Sequence, residues 1–552
     1  MKKLLVVFTV FALLIACKKE VKQKEPAVIW EAYDESVDLA AQQEHESERM
    51  RYKLVNSVVT DKNSIWEPFI TELSYFSAAE YEGLKPYILE KSIPEINKSI
   101  KEGKLTYEQL TLFYIYRIRQ FESDNTLSLN AVIALNPEAV RIAIDLDENL
   151  DAEAMDLYSI KGMPILIKDN IGLAGIPTTA GAVALKDNMV DDAFITKQLK
   201  ESGAIILGKA NLSEWAYFFC SGCPLGYSAL GGQTMNPYGR MQFESGGSSS
   251  GSGVAGAANY AVATVGTETS GSILSPSSKN SIVGLKPTIG KLSRGGIVPI
   301  SSTLDTPGPM TKSVVDNAIL LNAMLGKDKA DSSTVESIQV NLKEIEDADL
   351  KGKRFGVIKA LKEDSLYVAA LDKIAKAGAE LVEFDPGSPG LSGFITLLNI
   401  DMKIDLPYYF ADYGNKDLSY KSVKDVVNFN KQDSLIRAPY GQQLFEGIVS
   451  DTTTVEELNV IKSNLEALGR NFFNTALDDL KVDAVLSINN YHAGYAAVAK
   501  YPALTVPMGY QESGEPMSLT FIGKQFEEEK LLQLGSAYEK VSKERKTPKK
   551  YQ

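Results

Sequence analysis

Residues 246–273 read GGSSSGSGVAGAANYAVATVGTETSGSI, two serine–glycine clusters on either side of a small, apolar segment. Ser248, in Gly246-Gly247-Ser248-Ser249-Ser250, would suit a flexible linker. However, an Ala/Val/Gly-rich helix predicted over Val254 to Tyr260 follows at once and runs into the apolar strand Ala261-Val262-Ala263-Thr264-Val265. Linkers do not lead straight into tightly packed small residues, so the glycines read as points of close backbone approach.

Short apolar runs alternate with helical patterns along much of the chain. Ile165-Leu166-Ile167, Ala204-Ile205-Ile206-Leu207, Phe355-Gly356-Val357-Ile358 and Leu381-Val382-Glu383 read as buried strands, with helices over Glu138 to Asp147 and Tyr367 to Ala377. This alternation predicts an α/β fold whose large, mostly parallel or mixed sheet is covered by helices on both faces. Thr106-Tyr107-Glu108-Gln109 is a capping box opening a helix over Glu108 to Arg119. The helical pattern from Trp30 to about Gly103, with Glu44 to Glu48 on a wet face, predicts an N-terminal helical satellite. Asp385-Pro386-Gly387-Ser388-Pro389-Gly390 punctuates the entry to residues 391–450. The expected divisions are a signal at 1–17, a tether at 18–26, the helical segment at 27–105, the main domain at 106–540 and a polar basic tail at 541–552.

Lys2 and Lys3 precede an apolar stretch, Leu4 to Ala16, too short to span a bilayer comfortably. It ends in Leu14-Ile15-Ala16-Cys17, the form of a bacterial lipoprotein signal in which Cys17 is lipidated and becomes the new N-terminus. Acyl chains there would hold the body at a membrane surface, which predicts a lipid-anchored protein of the cell envelope. Lys18 stands where an aspartate would retain the protein in the inner membrane; if the cell is Gram-negative, this favours the outer membrane, facing periplasm or surface. The net charge of −13 leaves no footprint for nucleic acid.

After Cys17 only Cys220 and Cys223 remain, and they read as a local disulfide or two loop thiols in preference to a dithiol-exchange site. Neither His45 nor His492 stands beside a ligand cluster, so no metal and no cofactor are expected. Gly203 to Lys209 has phosphate-loop spacing, but Ala210 replaces the required Ser or Thr and the interior is an apolar strand. Nucleotide binding is therefore rejected.

A hydroxyl is a poor nucleophile near neutral pH until a base removes its proton. With two histidines in the chain, lysine is the alternative base, provided burial disfavours its charged form. Lys168 fits, because it closes Ile165-Leu166-Ile167 and precedes Asp169-Asn170; the plain alternative is a lysine surfacing at a strand end. Ser272 lies in Thr267-Glu268-Thr269-Ser270-Gly271-Ser272-Ile273, where a strand delivers the chain to a glycine-bearing turn. Free N–H groups in such a turn suit a developing oxyanion, although a tight turn with a merely structural serine has the same pattern.

Three blocks resemble the amidase signature family: Gly162-Met163-Pro164-Ile165-Leu166-Ile167-Lys168-Asp169-Asn170, the Gly246–Ser272 run, and Gly284-Leu285-Lys286-Pro287-Thr288 with Asp305-Thr306-Pro307-Gly308-Pro309. Further similarity appears in 208–215, 232–237 and 501–507, so the likeness runs from about 106 to about 540. The resemblance implies that Ser272 is the nucleophile, that Ser248, after a cis peptide, is the middle member, and that Lys168 is the base. It also implies an oxyanion hole of the backbone N–H groups of Thr269, Ser270, Gly271 and Ser272. The activity implied is hydrolysis of a linear amide to acid and ammonia or amine through a serine acyl-enzyme.

Many members of that family carry Asp or Gly where this chain has Ser270, and Arg where it has Leu274. Loss of that arginine removes an obvious partner for a substrate carboxylate. The pattern is more similar to the peptide-amidase branch, partly through the apolar and aromatic residues in Met402 to Tyr409 and Val426 to Asn430. The expected substrate is a C-terminal peptide amide, with fatty acyl or aryl amides as the alternative. A non-catalytic ligand-binding lipoprotein is the alternative of another class. The tRNA-transamidation subunit of the same fold is disfavoured by the signal, and oligomeric state is left open.

Overall fold

A computed structural model describes residues 27–552. The predicted signal, Cys17 and the tether lie outside the described residues.

Strands β1 (Val132–Leu135), β2 (Pro164–Lys168), β3 (Ile205–Ala210), β4 (Tyr227–Ser228), β5 (Gly232–Gln233), β6 (Ala263–Glu268) and β7 (Val283–Lys286) are followed by six more. These are β8 (Thr306–Thr311), β9 (Arg354–Ile358), β10 (Glu380–Phe384), β11 (Ala484–Ile488), β12 (Ala503–Tyr510) and β13 (Pro516–Ile522). Apart from the small β4–β5 pair they form one 11-stranded sheet in the order β1-β3-β2-β6-β8-β7-β12-β13-β11-β9-β10. β2 is parallel to β3 and β6, and β9 is parallel to β10 and β11. The remaining neighbours are antiparallel, so the sheet is mixed.

Side chains alternate between the faces of a strand. Along β11, Ala484, Leu486 and Ile488 enter the largest core, whereas Val485 packs with Leu274, Phe472 and Phe473 in another layer. Helix Glu528–Ser542 brings Leu531, Leu532 and Leu534 to the face of Leu504 and Val506. Helices Leu274–Lys279 and Val455–Asn474 join Ala503 and Ile522 on the other face. Both faces are thus covered, the α/β architecture expected. β2 is buried at every residue, which is why its apolar run shows no polar alternation.

The capping box at Thr106 and Gln109 forms, and its helix spans Tyr107–Glu122. In the N-terminal segment Leu73, Tyr81, Ile88, Ile96 and Ile100 pack into the same core as Phe113 and Ile118 of that helix. Residues 391–450 build a second apolar layer from helices Phe394–Asp412, Val423–Lys431 and Gln443–Ser450. Leu406, Val426 and Phe445 there pack against Trp215 and the Cys220–Cys223 disulfide.

Two expectations are corrected. The small-residue helix spans Ser250–Ala257, four residues earlier than its propensity suggested. Its poor helix formers are held by side-chain bonds, one local and one to β6: the Ser250 hydroxyl donates to Gly246 O at 2.6 Å and the Ser252 hydroxyl to Val265 O at 3.0 Å. At Gly251 a Cβ would lie 2.4 Å from Asn211 O and 2.5 Å from Ala131 O, so only glycine allows the approach. The second concerns the polar basic tail at 541–552, which is tied to the body of the protein. Arg545 clasps Glu90 through two bonds of 2.9 and 2.8 Å, and Tyr551, 1 % exposed, donates its hydroxyl to Leu127 O at 2.6 Å. The run looks polar because its lysines face outward while Tyr551 turns inward.

Candidate active site

Lys168 is the last residue of β2 and has no solvent exposure. Its Nζ lies 2.8 Å from Ser248 Oγ, 2.9 Å from Thr267 Oγ1 and 3.1 Å from Thr267 O. Thr267 comes from β6, whose parallel pairing to β2 brings the two strand ends together. Burial drives the Lys168 pKa down from its ordinary value to about 7, while the charges of Asp305 and Glu268 act in the opposite sense. A neutral amine has two N–H donors and one lone pair. The Thr267 carbonyl and hydroxyl oxygens take the donors, which leaves the lone pair for the Ser248 proton.

The peptide between Gly247 and Ser248 is cis. The Ser248 carbonyl accepts from Ser213 N–H at 2.9 Å, and the next residue's N–H, on Ser249, donates to Ser272 O at 3.1 Å. The Ser249 hydroxyl reaches the Thr267 carbonyl at 3.0 Å. Both serine clusters and the lysine are therefore joined through Thr267 and Ser249. Exposure rises along the set, from 0 % at Lys168 through 1 % at Ser248 to 8 % at Ser272. Among the described residues the Ser272 hydroxyl has no hydrogen-bond partner, and Ser272 is the member open to a ligand.

The turn before Ser272 is shaped by Glu268, the last residue of β6. Its carboxylate accepts from Gly271 N–H at 2.6 Å, Ile273 N–H at 2.7 Å and Leu274 N–H at 3.0 Å. Of the four N–H groups expected to form an oxyanion hole, that of Gly271 is directed at the Glu268 carboxylate. The Thr269, Ser270 and Ser272 N–H groups make no such bond among the described residues. Gly271 has φ +84°, the left-handed region that glycine enters without strain. Glu268 was missed because the sequence reading counted the donors of the turn and not the acceptor preceding them. Thr267 and Asn170 stood within the quoted blocks, and strand period placed neither beside Lys168.

A cleft of about 330 Å³ opens beside this turn, its wall including Asn170, Thr267, Thr269, Asp305, Asp405 and Tyr408. Thr269 donates its hydroxyl to Asp305 at 2.5 Å, linking the turn to the far wall. Arg294, also on the wall, is engaged by Asp331 (Nε to Oδ2 at 2.9 Å, with a second contact through Nη2). Leu274 is fully buried in the apolar layer with Phe472 and Phe473. His492 bonds Ser487 at 2.6 Å, and burial lowers its pKa to about 4. Lys209, in the rejected phosphate-loop run, is buried 3.3 Å from Asp169. No group of ligands suited to a metal ion occurs among the described residues.

The Amidase family model matches residues 109–437. A probable amidase of Arabidopsis thaliana is 34% identical over 84% of this chain and 92% of its own length. The crystal structure of an amidase family protein from Bacillus anthracis aligns with a TM-score of 0.85 at 37% identity, over 90% of this chain and 99% of that one. The native peptide amidase of Stenotrophomonas maltophilia aligns with a TM-score of 0.77 at 35% identity, over 84% of this chain and 99% of that one.

Proposed function

The chain belongs to the amidase signature family, and from that premise we propose that it hydrolyses C-terminal peptide amides, releasing ammonia. As a member it is an amidase that cleaves amide bonds, and the binding-lipoprotein alternative is left without support. The narrower substrate reading draws on the likeness to the peptide amidase of Stenotrophomonas maltophilia over 84% of this chain.

The observation that carries the mechanism is the 2.8 Å contact between Ser248 Oγ and a lysine whose pKa burial lowers to about 7. Neutral Lys168 accepts the Ser248 proton as Ser248 takes that of Ser272, and Ser272 Oγ bonds to the amide carbonyl carbon. The N–H groups of Thr269, Ser270 and Ser272 face the oxyanion, each such donor contributing about 3–4 kcal/mol where measured elsewhere. As the C–N bond breaks, Ser248 passes its proton to the departing nitrogen and recovers one from Lys168. Water enters by the same relay in reverse, giving the acid and free Ser272.

The test is product release from the full chain, followed by mass spectrometry, on peptide amides, amino-acid amides, fatty acyl amides and aryl amides. Peptide amides should be converted fastest, and Ser272→Ala should abolish conversion. Faster turnover of a fatty acyl or aryl amide would overturn the peptide reading.

We also propose that Cys17 is acylated and anchors the enzyme in the cell envelope, on the support of Leu14-Ile15-Ala16-Cys17. Palmitate labelling lost in Cys17→Ser supports it; equal labelling of both proteins refutes it.

A further inference from the structure

Among the residues of the cleft wall one buried polar atom is left unsatisfied, and it is an acceptor. Asn170 is 2 % exposed, and its Nδ2 donates to Thr267 Oγ1 at 3.0 Å and to the Val298 carbonyl at 3.4 Å. The carbonyl can only accept, so the amide nitrogen faces inward and the orientation is set. Asn170 Oδ1 is left buried with no partner. An unmet buried acceptor is destabilising, a deficit that an N–H donor brought to it removes.

The charges show the same imbalance. Asp305, Asp331 and Asp405 face Arg294 as the one cation of the wall, and Asp331 already holds Arg294. Asp305 accepts from Thr269 Oγ1, from Ile300 N–H at 2.8 Å and from Ser301 N–H at 2.9 Å. Asp405 accepts from Ser302, through its N–H at 2.6 Å and its side chain, and makes no salt bridge among the described residues. Behind it Asp401, 2 % exposed, takes Lys462 at 2.7 Å. Burial raises the Asp405 pKa to about 6, with Asp401 and Asp305 pushing the same way. Three carboxylates thus share one guanidinium, which leaves negative charge in excess on the wall. Tyr408, one turn along the same helix, and Tyr413 lie edge to face with ring centroids 6.4 Å apart, and aromatic faces attract cations.

We propose that the cleft selects amides bearing a primary ammonium or guanidinium group, held by Asp405 beside Tyr408 and Tyr413, while Asn170 Oδ1 accepts an N–H of the same molecule. This rests on the amide-hydrolysis reading above and narrows it. Fatty acyl and aryl amides offer no such cation, whereas peptide amides supply it from a free N-terminus or from a lysine or arginine side chain. Substrates with a carboxylate in the same place meet uncompensated negative charge.

The experiment compares three peptide amides of one length: acetyl-alanyl-lysinamide, alanyl-norleucinamide with a free N-terminus, and acetyl-alanyl-norleucinamide. Binding is measured by calorimetry on the full chain carrying Ser272→Ala, so that the result does not depend on turnover. At least one of the two cationic peptides should bind about tenfold more tightly than the neutral one. Adding Asp405→Asn should reduce that ratio to about twofold or less. Adding Tyr408→Leu, at a side chain 55% exposed and so without burden on the core, should reduce it about threefold. Equal affinity for all three peptides, or a ratio unchanged by Asp405→Asn, overturns the proposal. Turnover is assayed separately on the unsubstituted enzyme: failure to hydrolyse any of the three counts against the peptide-amide reading, while the binding ratio still decides this one.

Discussion

Lys168 and Lys209 show how one partner changes a buried lysine. Both are fully buried on neighbouring parallel strands, β2 and β3. Lys209 has a carboxylate 3.3 Å away, whereas Lys168 has hydroxyl and carbonyl oxygens and no ion-pair partner among the described residues. An uncompensated charge in that position is costly, so the proton leaves near neutrality. The base works in its neutral form, so kcat/KM should rise with pH through about 7 and level off above it. One unit below the midpoint only about a tenth of the lysine is neutral, which sets the expected loss at pH 6. A pH–rate profile checks this, and a profile flat between pH 5.5 and 8.5 would exclude Lys168 as the titrating base. Lys168→Met should lower kcat by about 10²- to 10⁴-fold and remove the rise. Lys168 was legible in the sequence because it closes an apolar strand. The difference between it and Lys209 was not, because Asp169 and Thr267 are sorted between them only by strand pairing.

At the scale of the element, the turn from β6 into helix Leu274–Lys279 is organised by its own first residue. Glu268 gathers three N–H groups and acts as cap to a helix of six residues. Charge-assisted bonds of this kind are roughly twice as strong as neutral ones. Glu268→Gln replaces one acceptor oxygen by a donor that opposes these N–H groups, and the turn should lose its alignment. We expect kcat to fall about 10²-fold with KM changed less than about threefold, since the turn meets the oxyanion only as it develops. Steady-state kinetics decide it: a change confined to KM would mean that Glu268 acts on ground-state binding instead. The motif itself was readable, because Ser270, Gly271 and Ser272 follow an apolar strand at a glycine-bearing turn. Its wiring was less so, since a count of donors in a turn says nothing until the local acceptors are subtracted. The cleft wall was least legible. Asp305 and Asp405 stand 100 residues apart, and only the packing of helix Phe394–Asp412 against the 300–305 loop brings them together.

At the scale of the whole molecule, the ends of the sequence behave differently from their composition. The final residues are rich in lysine and carry Pro548, the pattern of a solvated tail, yet they close the N-terminal layer onto the body of the protein. Arg117, fully buried in helix Tyr107–Glu122, donates to the Tyr551 carbonyl, a contact between residues 434 apart in sequence. The Tyr551 ring lies 5.0 Å from Phe121 of the same helix. No local pattern encodes such a partner, which is why the sequence described the lysines and missed the tyrosine. Removing the ring empties a closed site and unseats the carbonyl that serves a buried guanidinium. Tyr551→Ala should therefore cost about 3–5 kcal/mol, in the range for large aromatic truncations. Lys549→Ala, at an exposed position of the same short helix, should stay within about 0.5 kcal/mol. Urea unfolding of the two variants side by side checks the difference, and equal midpoints would show the C-terminus to be a passive appendage. Tyr551 touches neither Lys168 nor Ser248 and lines no part of the cleft, so at temperatures well below unfolding Tyr551→Ala should leave kcat unaltered, separating closure of the fold from the chemistry it houses.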